Sequence, residues 1–389
     1  MKLEELRKKY KLIDLFVHLC EIPSPSLGEA ELAEKIMVIF KENNIFAEYD
    51  DYKNVIARIP GTGSPILLSA HMDVVGDSKP VNIRLSEDGK YIETDKTRTL
   101  GSDNKAGVAA IIDLAISLEN IDHGPIEITF TRDEEKGMSG IRNLDTSKLQ
   151  SKYAIIADGG HLGELDIEGA GFTNIHIKVH GGKGGHSGIN IHETDRISAI
   201  KVLAEVMSQI PQGVYKSDSK GTITSINAGL CTGGEVETGF LNVIASNAEV
   251  SYSLRSSEPD NEQELLGKIQ KIIQEINSKY NGLINIDMEV EPHLMPFVRS
   301  NDDFLPSIIV QAAQKLNIKC CPASFHAGAE THVLANEKKN SNNEQFSPVI
   351  VGLADLENIH SSDEKIDWES FLRGRQWLEE IVVRFYNTH

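Results

Sequence analysis

The sequence predicts an α/β protein, a doubly wound mixed sheet into which a smaller α+β open sandwich is inserted. Three observations carry this. From the N-terminus to Ala157, strand-like apolar runs alternate with helical patterns, the order of a layered sheet with some parallel strands. One run, Ile66-Leu67-Leu68, is nearly continuous, which suits a strand covered on both faces. Near Gly169-Ala170-Gly171 the order changes to β-α-β-β-α, opened by a period-two stretch from Phe172 to His180. At 389 residues the chain is long for one core. The expected division is 1–170 with 292–389 as one domain and 171–291 as the insertion.

The elements follow in order. Leu3 to Cys20 has helical periodicity and stops before Pro23 and Pro25. A second helix is expected from Leu27 to Glu42, capped by Ser26. Val55 to Ile59 and Pro65 to Ala70 read as strands, Ala106 to Leu118 as a helix, and Ile126 to Thr131 and Tyr153 to Ala157 as strands. Within the insertion, the strand Phe172 to His180 leads to a glycine-rich turn, Gly181 to Gly185. A helix (Asp195 to Ile210), strands near Thr222 to Ala228 and Ala248 to Arg255, and a helix (Glu262 to Tyr280) complete it. Pro292 and Pro296 mark the return. Helix Leu305 to Leu316, a polar and mobile loop from Glu337 to Glu344, strand Pro348 to Gly352 and helix Trp368 to Tyr386 finish the first domain.

Thirty-nine basic against 58 acidic residues leave a formal charge of −19. That field repels nucleic acid and anionic lipid, so neither is an expected partner. Cys20, Cys231, Cys320 and Cys321 show no CxxC spacing and read as reduced packing residues. The first residues lack the apolar core of a signal peptide, and no run approaches the ~18 apolar residues of a membrane span. The expected location is the cytoplasm.

Several acidic and imidazole side chains sit at the ends of strand-like runs or at a helix mouth: His71 and Asp73, Asp103, Asp133-Glu134-Glu135 and Asp158. In an α/β domain such ends converge on one crevice. Two carboxylates about 4 Å apart repel by roughly 4 kcal/mol at an effective dielectric near 20. A positive charge between them, or a proton on one, is required. A pair of divalent cations is the simplest answer and points to a hydrolase. The spacing of His71 and Asp73 suits a ligating histidine whose second ring nitrogen donates to Asp73. Each residue also has a plainer reading: Asp103 as a helix cap, Glu134 and Glu135 as a solvated turn, Asp158 as a turn former, His360 as a surface histidine. In extended backbone Glu134 and Glu135 would point apart, one to a metal and one to water in the cleft.

Taken in order, His71-x-Asp73, Gly101-Ser102-Asp103-Asn104-Lys105-Ala106-Gly107, Asp133-Glu134-Glu135-x-Gly137, Asp158, Gly184-Gly185-His186-Ser187-Gly188 and Asn358-Ile359-His360 resemble the co-catalytic zinc exopeptidases. That family includes carboxypeptidase G, aminoacylase, dipeptidases and peptidase T. The resemblance covers nearly the whole chain. It implies that Asp103 bridges two ions, that His71 and Asp158 complete one site and Glu135 and His360 the other, and that Glu134 is the general base. It also implies a cis peptide before Asn104. Zinc is the expected metal, with cobalt or manganese also suited to mixed imidazole and carboxylate ligands.

The same resemblance makes the inserted domain a lid and dimerisation module. It implies that His186 reaches the substrate carbonyl; the plainer reading is a histidine stabilising its turn. Arg255 is a candidate for gripping a substrate carboxylate, or else a rim ion pair. Asn242 matches a position near that carboxylate, or else is a turn residue. His71-Met72-Asp73, Glu134-Glu135 and Asn358-Ile359-His360-Ser361 look most like the peptidase T branch, which removes the N-terminal residue of tripeptides. Two features depart from it. The stretch from Asp73 to Asp103 is shorter, and His326-Ala327-Gly328-Ala329-Glu330-Thr331 replaces an arginine-glycine-glycine-threonine-aspartate run. Glu330 can still receive a substrate ammonium group, but His326 cannot copy an arginine's fork. The expected activity is a tripeptidase-like aminopeptidase acting on short peptides, and a homodimer through the lid. A dipeptidase, a carboxypeptidase or an N-acyl amino acid deacylase is the alternative.

Overall fold

The computed structural model describes residues 2–76, 78–118, 121–218, 221–234 and 240–388. The backbone divides into two compact units. Met1–Ile167, Arg299–Ala323 and Ala329–His389 form the first; Glu168–Val298 and Ser324–Gly328 form the second.

The first unit opens with α1 (Leu3–Lys9), α2 (Lys11–Glu21), α3 (Ala30–Glu42), β1 (Phe46–Tyr49), β2 (Val55–Ile59), β3 (Ile66–His71), β4 (Ile83–Leu85) and β5 (Tyr91–Thr94). It continues with α4 (Ser102–Ser117), β6 (Ile126–Thr131), α5 (Glu134–Gly137), α6 (Ser139–Asn143), β7 (Tyr153–Gly159) and β8 (Glu164–Gly169). The second unit holds β9 (Gly171–His180), α7 (Ala199–Gln209), β10 (Gly213–Ser217), β11 (Ile223–Gly233), β12 (Ala248–Ser256), α8 (Pro259–Tyr280) and β13 (Asn285–Leu294). After it come α9 (Phe304–Lys315), β14 (Cys321–Phe325), α10 (Glu330–Glu337), β15 (Ser347–Gly352), β16 (Leu356–Glu357), β17 (Lys365–Asp367) and α11 (Trp368–Thr388).

The main sheet runs β1-β2-β6-β3-β7-β15-β8-β14. Its centre is parallel: β3 pairs with β6 and β7, and β7 with β15. Every residue of β3 and β6 is buried, so both faces are covered, as a parallel sheet requires. Helix α4 packs on β3 and β7, and α11 on α4 and α9. Around them Phe16, Phe371, Trp377 and Phe385 form a core without solvent access. The second unit has its own core. Strands β9 and β12 bury alternate residues and present them to α7 and α8. No helix among the described residues is long and apolar enough to cross a membrane.

Several expectations are corrected. The first helix is two, because Tyr10 is extended (φ −126°, ψ 110°) and lays its ring 5.7 Å from that of Trp368. Ser26 caps nothing: Leu27 has φ +67°, α3 begins only at Ala30, and the Ser26 hydroxyl donates to Asp73 Oδ2 (2.8 Å). The stretch 337–344 is no free loop. Buried Asn340 donates to Gln150 O and accepts from Asn342 N and Glu344 N, which fastens the turn. Strand β13 runs through Pro292, tolerable because β13 is a sheet edge and needs no second partner there.

Candidate metal centre

Adjacent parallel strands β6, β3 and β7 end side by side, and the crevice beyond their carboxyl ends collects the ligand candidates. His71 closes β3, Asp158 lies near the end of β7, and Asp133 to Glu135 follow β6. Asp103 arrives at the mouth of α4, and the Asp103–Asn104 peptide is cis. Two glycines make that approach possible. Gly101 has φ +77°, and a Cβ there would lie 2.8 Å from Val74 Cγ1. A Cβ on Gly107 would lie 2.3 Å from Ala157 O, so only glycine lets α4 rest directly on β7. His360 comes from the loop after β16, itself at φ +63°.

The five side chains meet. Asp103 divides its oxygens between two imidazoles: Oδ1 is 3.2 Å from His71 Nε2, and Oδ2 is 3.1 Å from His360 Nε2. Asp158 Oδ1 lies 3.3 Å from His71 Nε2, and Glu135 Oε2 lies 3.1 Å from His360 Nε2. One carboxylate is therefore shared, with an imidazole and a carboxylate on either side.

Asp73 faces His71 with both its main-chain and its side-chain oxygen. His71 Nδ1 lies 2.9 Å from its backbone oxygen and 3.4 Å from Oδ1, so the main chain is the nearer acceptor. The carboxylate also accepts from Glu134 N (2.9 Å), Glu135 N (3.1 Å) and Ser26 Oγ. Glu134 and Glu135 are not extended. Asp133 takes φ +53° and they begin the short helix α5, whose free amides Asp73 collects.

The electrostatics record the crowding. Burial pulls the His71 imidazole down, but Asp158, Asp103 and Asp73 outweigh it and hold its pKa well above the usual range. Hydrogen bonds to Asp103 and Glu135 push His360 up to about 10. Burial raises Asp158 to about 6 and, with Asp158, Glu330 and Glu135 adding to it against His71, lifts Glu134 well above ordinary carboxylates. Asp103 moves down, because its two imidazole partners overcome its burial.

A pair of divalent cations fits these residues. Ligating atoms of His71, Asp103 and Glu135 lie within 4.8 Å of one another. Glu135 Oε1 is buried without a partner. Among the described residues no lysine or arginine pairs with Asp103, Glu135 or Asp158, whose only charged partners are the two imidazoles. Imidazole nitrogen with carboxylate oxygen is a donor set for zinc, cobalt or manganese.

The other candidates are Glu330, in the first unit, and residues of the second unit. Glu330 begins α10 fully buried, and neither of its oxygens has a hydrogen-bond partner, so it does not present itself to a solvent-borne ammonium group. Burial sets its pKa at about 7, with Thr131 and His71 pulling it down and Asp158 and Asp73 pushing it up. In the second unit, His186 Nδ1 accepts from Gly188 N (3.0 Å) and Ile189 N (3.2 Å). The turn-stabilising reading is thus realised, and it leaves the proton of a neutral ring on Nε2. Asn242 sits beside it, its carbonyl accepting from Ser187 N (2.8 Å). Arg255 lies over the Phe172 ring at 4.6 Å, and no described carboxylate pairs with it. His326 also belongs to this unit, with Nε2 2.8 Å from Ser225 Oγ.

Sequence reasoning missed two supports. Buried Glu29 accepts from Arg132 Nε (2.8 Å) and Asp133 N (3.1 Å), behind α5. Glu364 accepts from Gly101, Ser102 and Asp103. The only signal was position: Glu29 follows the cap candidate Ser26 by three residues, and Glu364 follows His360 by four.

Residues 67–384 match the model of peptidase family M20/M25/M40. The chain belongs to this family. The fold is similar to that of the aminopeptidase PepT structure from Bacillus cereus ATCC 10987, with a TM-score of 0.84 at 23% identity over 96% of this chain and 98% of that one. Among sequence relatives, the cytosol non-specific dipeptidase of Escherichia coli (strain K12) is 34% identical over 212 residues, 46% of this chain and 43% of its own length. Peptidase T of Clostridium novyi (strain NT) is 30% identical over 240 residues, 58% and 53% respectively. Each of these two alignments spans about half of the relative.

Proposed function

We propose that this M20 peptidase is a metal-dependent exopeptidase that hydrolyses the N-terminal peptide bond of short peptides, a tripeptide aminopeptidase of the peptidase T kind. The observation that carries the reading is Asp103, one carboxylate facing two imidazoles. His71, Asp103 and Asp158 would hold one cation and Asp103, Glu135 and His360 the other, zinc in the first instance. When bound, such a pair lowers the pKa of water and polarises a carbonyl oxygen.

The protein's own groups do the rest. Glu134, held at the head of α5 by Asp73, takes a proton from water and returns it to the leaving amine. Its half-buried place at the edge of the crevice suits the task, since a partly desolvated carboxylate accepts and releases a proton readily. His186 donates from Nε2 to the substrate carbonyl oxygen. Arg255, 4.6 Å over the Phe172 ring and without an acidic partner among the described residues, receives the substrate carboxylate, with Asn242 assisting. The fully buried Glu330 adds negative charge near Glu134.

The first unit is then the catalytic domain and the second the lid. A homodimer through the lid is part of the proposal: β10 pairs with residues 223–226 of β11, and the stretch beyond carries exposed Leu230, with Ile200 exposed on α7. Four free cysteines suit a cytoplasmic location. The dipeptidase relative keeps a second reading open, a dipeptidase with the same centre. Metal analysis of purified protein, beside assays on Ala-Ala-Ala, its N-acetyl form, its amide and Ala-Ala, separates the readings. Two metal equivalents and preferred cleavage of the free tripeptide are expected. Faster cleavage of the N-acetyl peptide overturns the aminopeptidase, and faster cleavage of Ala-Ala favours the dipeptidase.

A further inference from the structure

We propose that Glu364 is a positioning residue that ties the loop bearing Asp103 to the loop bearing His360, and thereby sets the affinity of the centre for its second cation. The inference rests on the metal-centre reading above.

Glu364 is 1% exposed. Its Oε2 accepts from Gly101 N (2.8 Å), and its Oε1 from Ser102 Oγ (2.5 Å) and Asp103 N (3.1 Å). Three consecutive residues leading into the shared ligand therefore hang on one carboxylate. That carboxylate lies four residues after His360, and its own amide donates to Ser361 O (3.2 Å), closing the turn that presents the imidazole. Strand β17 starts at the next residue and pairs with β5, which anchors the turn to the first unit. The buried Lys105 ammonium supplies countercharge to the same region and donates to Ile22 O (2.6 Å). With both oxygens occupied by these donors, Glu364 is no ligand. It holds the 3.1 Å approach of His360 Nε2 to Asp103 Oδ2.

A carboxylate is needed because three donors converge on two acceptors. In Glu364→Gln the amide nitrogen would face a donor, leaving a buried N–H or O–H unpaired. Support of this kind behind metal ligands changes metal affinity about 10- to 100-fold.

The test uses the full chain freed of metal with a chelator, then titrated with Co2+ and followed by calorimetry and visible absorption. Wild type is expected to take up two equivalents. Glu364→Gln should bind one of them about 10- to 100-fold more weakly, with faster hydrogen exchange at the amides of residues 101–103. Glu364→Asp keeps the buried charge but falls short of the three donors, and carries the same expectation if the glutamine variant fails to fold. Folded variants that bind both ions with wild-type affinity, whatever their melting temperature, overturn the inference alone. A wild type that binds no second ion overturns the metal-centre reading, and this inference with it.

Discussion

The two units hold the side chains proposed to act by different means. In the first, His71 and Asp158 sit on buried parallel strands, and the acids behind them take up backbone amides: Asp73 those of α5, Glu364 those of the Asp103 loop. In the second, His186 stands in an exposed turn and is held by two amides of that same turn. The first arrangement fixes positions before any substrate arrives; the second fixes a tautomer and leaves position to the turn. Preorganisation of charge is thus concentrated where the charge density is highest.

The comparison can be broken at either end. Glu134→Gln should lower kcat by about 10²–10⁴ with metal content unchanged, measured on Ala-Ala-Ala; full activity would remove the chemistry from the first unit. His186→Ala should cost about 10² in kcat, the scale of one lost oxyanion donor, again with metal content intact. Turnover at the wild-type rate would reduce His186 to a turn residue. Arg255→Lys keeps the charge and loses the planar fork, so KM should rise about tenfold with kcat nearly unchanged for peptides with a free C-terminus, and much less for their amides.

The smallest effect tests what backbone amides contribute within the first unit. Asp73 has three donors, whereas Asp166 Oδ2 is buried with none. Burial and neighbouring Glu164 push Asp166 up to about 8. The folded chain therefore binds a proton that the unfolded chain has released between about pH 4 and 8. The stability gained from this group is full below pH 4 and is lost as pH rises through 8. Asp166→Asn should raise Tm by about 2–4 °C at pH 8.5, roughly 1 kcal/mol, and change it little at pH 4. Thermal melts at the two pH values decide it.

The parts legible in the sequence were those written in apolar periodicity. Ile66 to Leu68, Ile126 to Thr131 and Tyr153 to Ala157 announce the parallel strands, and the ligand candidates at their ends follow. What escaped depends on long-range capture. Ser26 has the look of a helix cap, but a carboxylate 47 residues away takes its hydroxyl. The turn at Asp133 rests on a left-handed residue, and aspartate's tolerance of that conformation does not tell this position from the chain's other aspartates. Strand β8 went unassigned: Glu164, Asp166 and Glu168 alternate with Leu165 and Ile167, yet both faces are largely buried, which the acidic residues conceal. Glu364 lies in a polar stretch with no period at all, and only the three donors that surround it reveal why it is buried.

His71, Asp158 and the Asp133 turn issue from three neighbouring strands, which lie about 4.8 Å apart in any sheet. The rungs of the sheet thus act as a ruler for this part of the centre. Insertions or deletions between Val74 and Leu100 leave that ruler untouched. The same stretch holds β5, whose pairing with β17 anchors the His360 turn, so changes there act on the placement of His360 and not on these three positions.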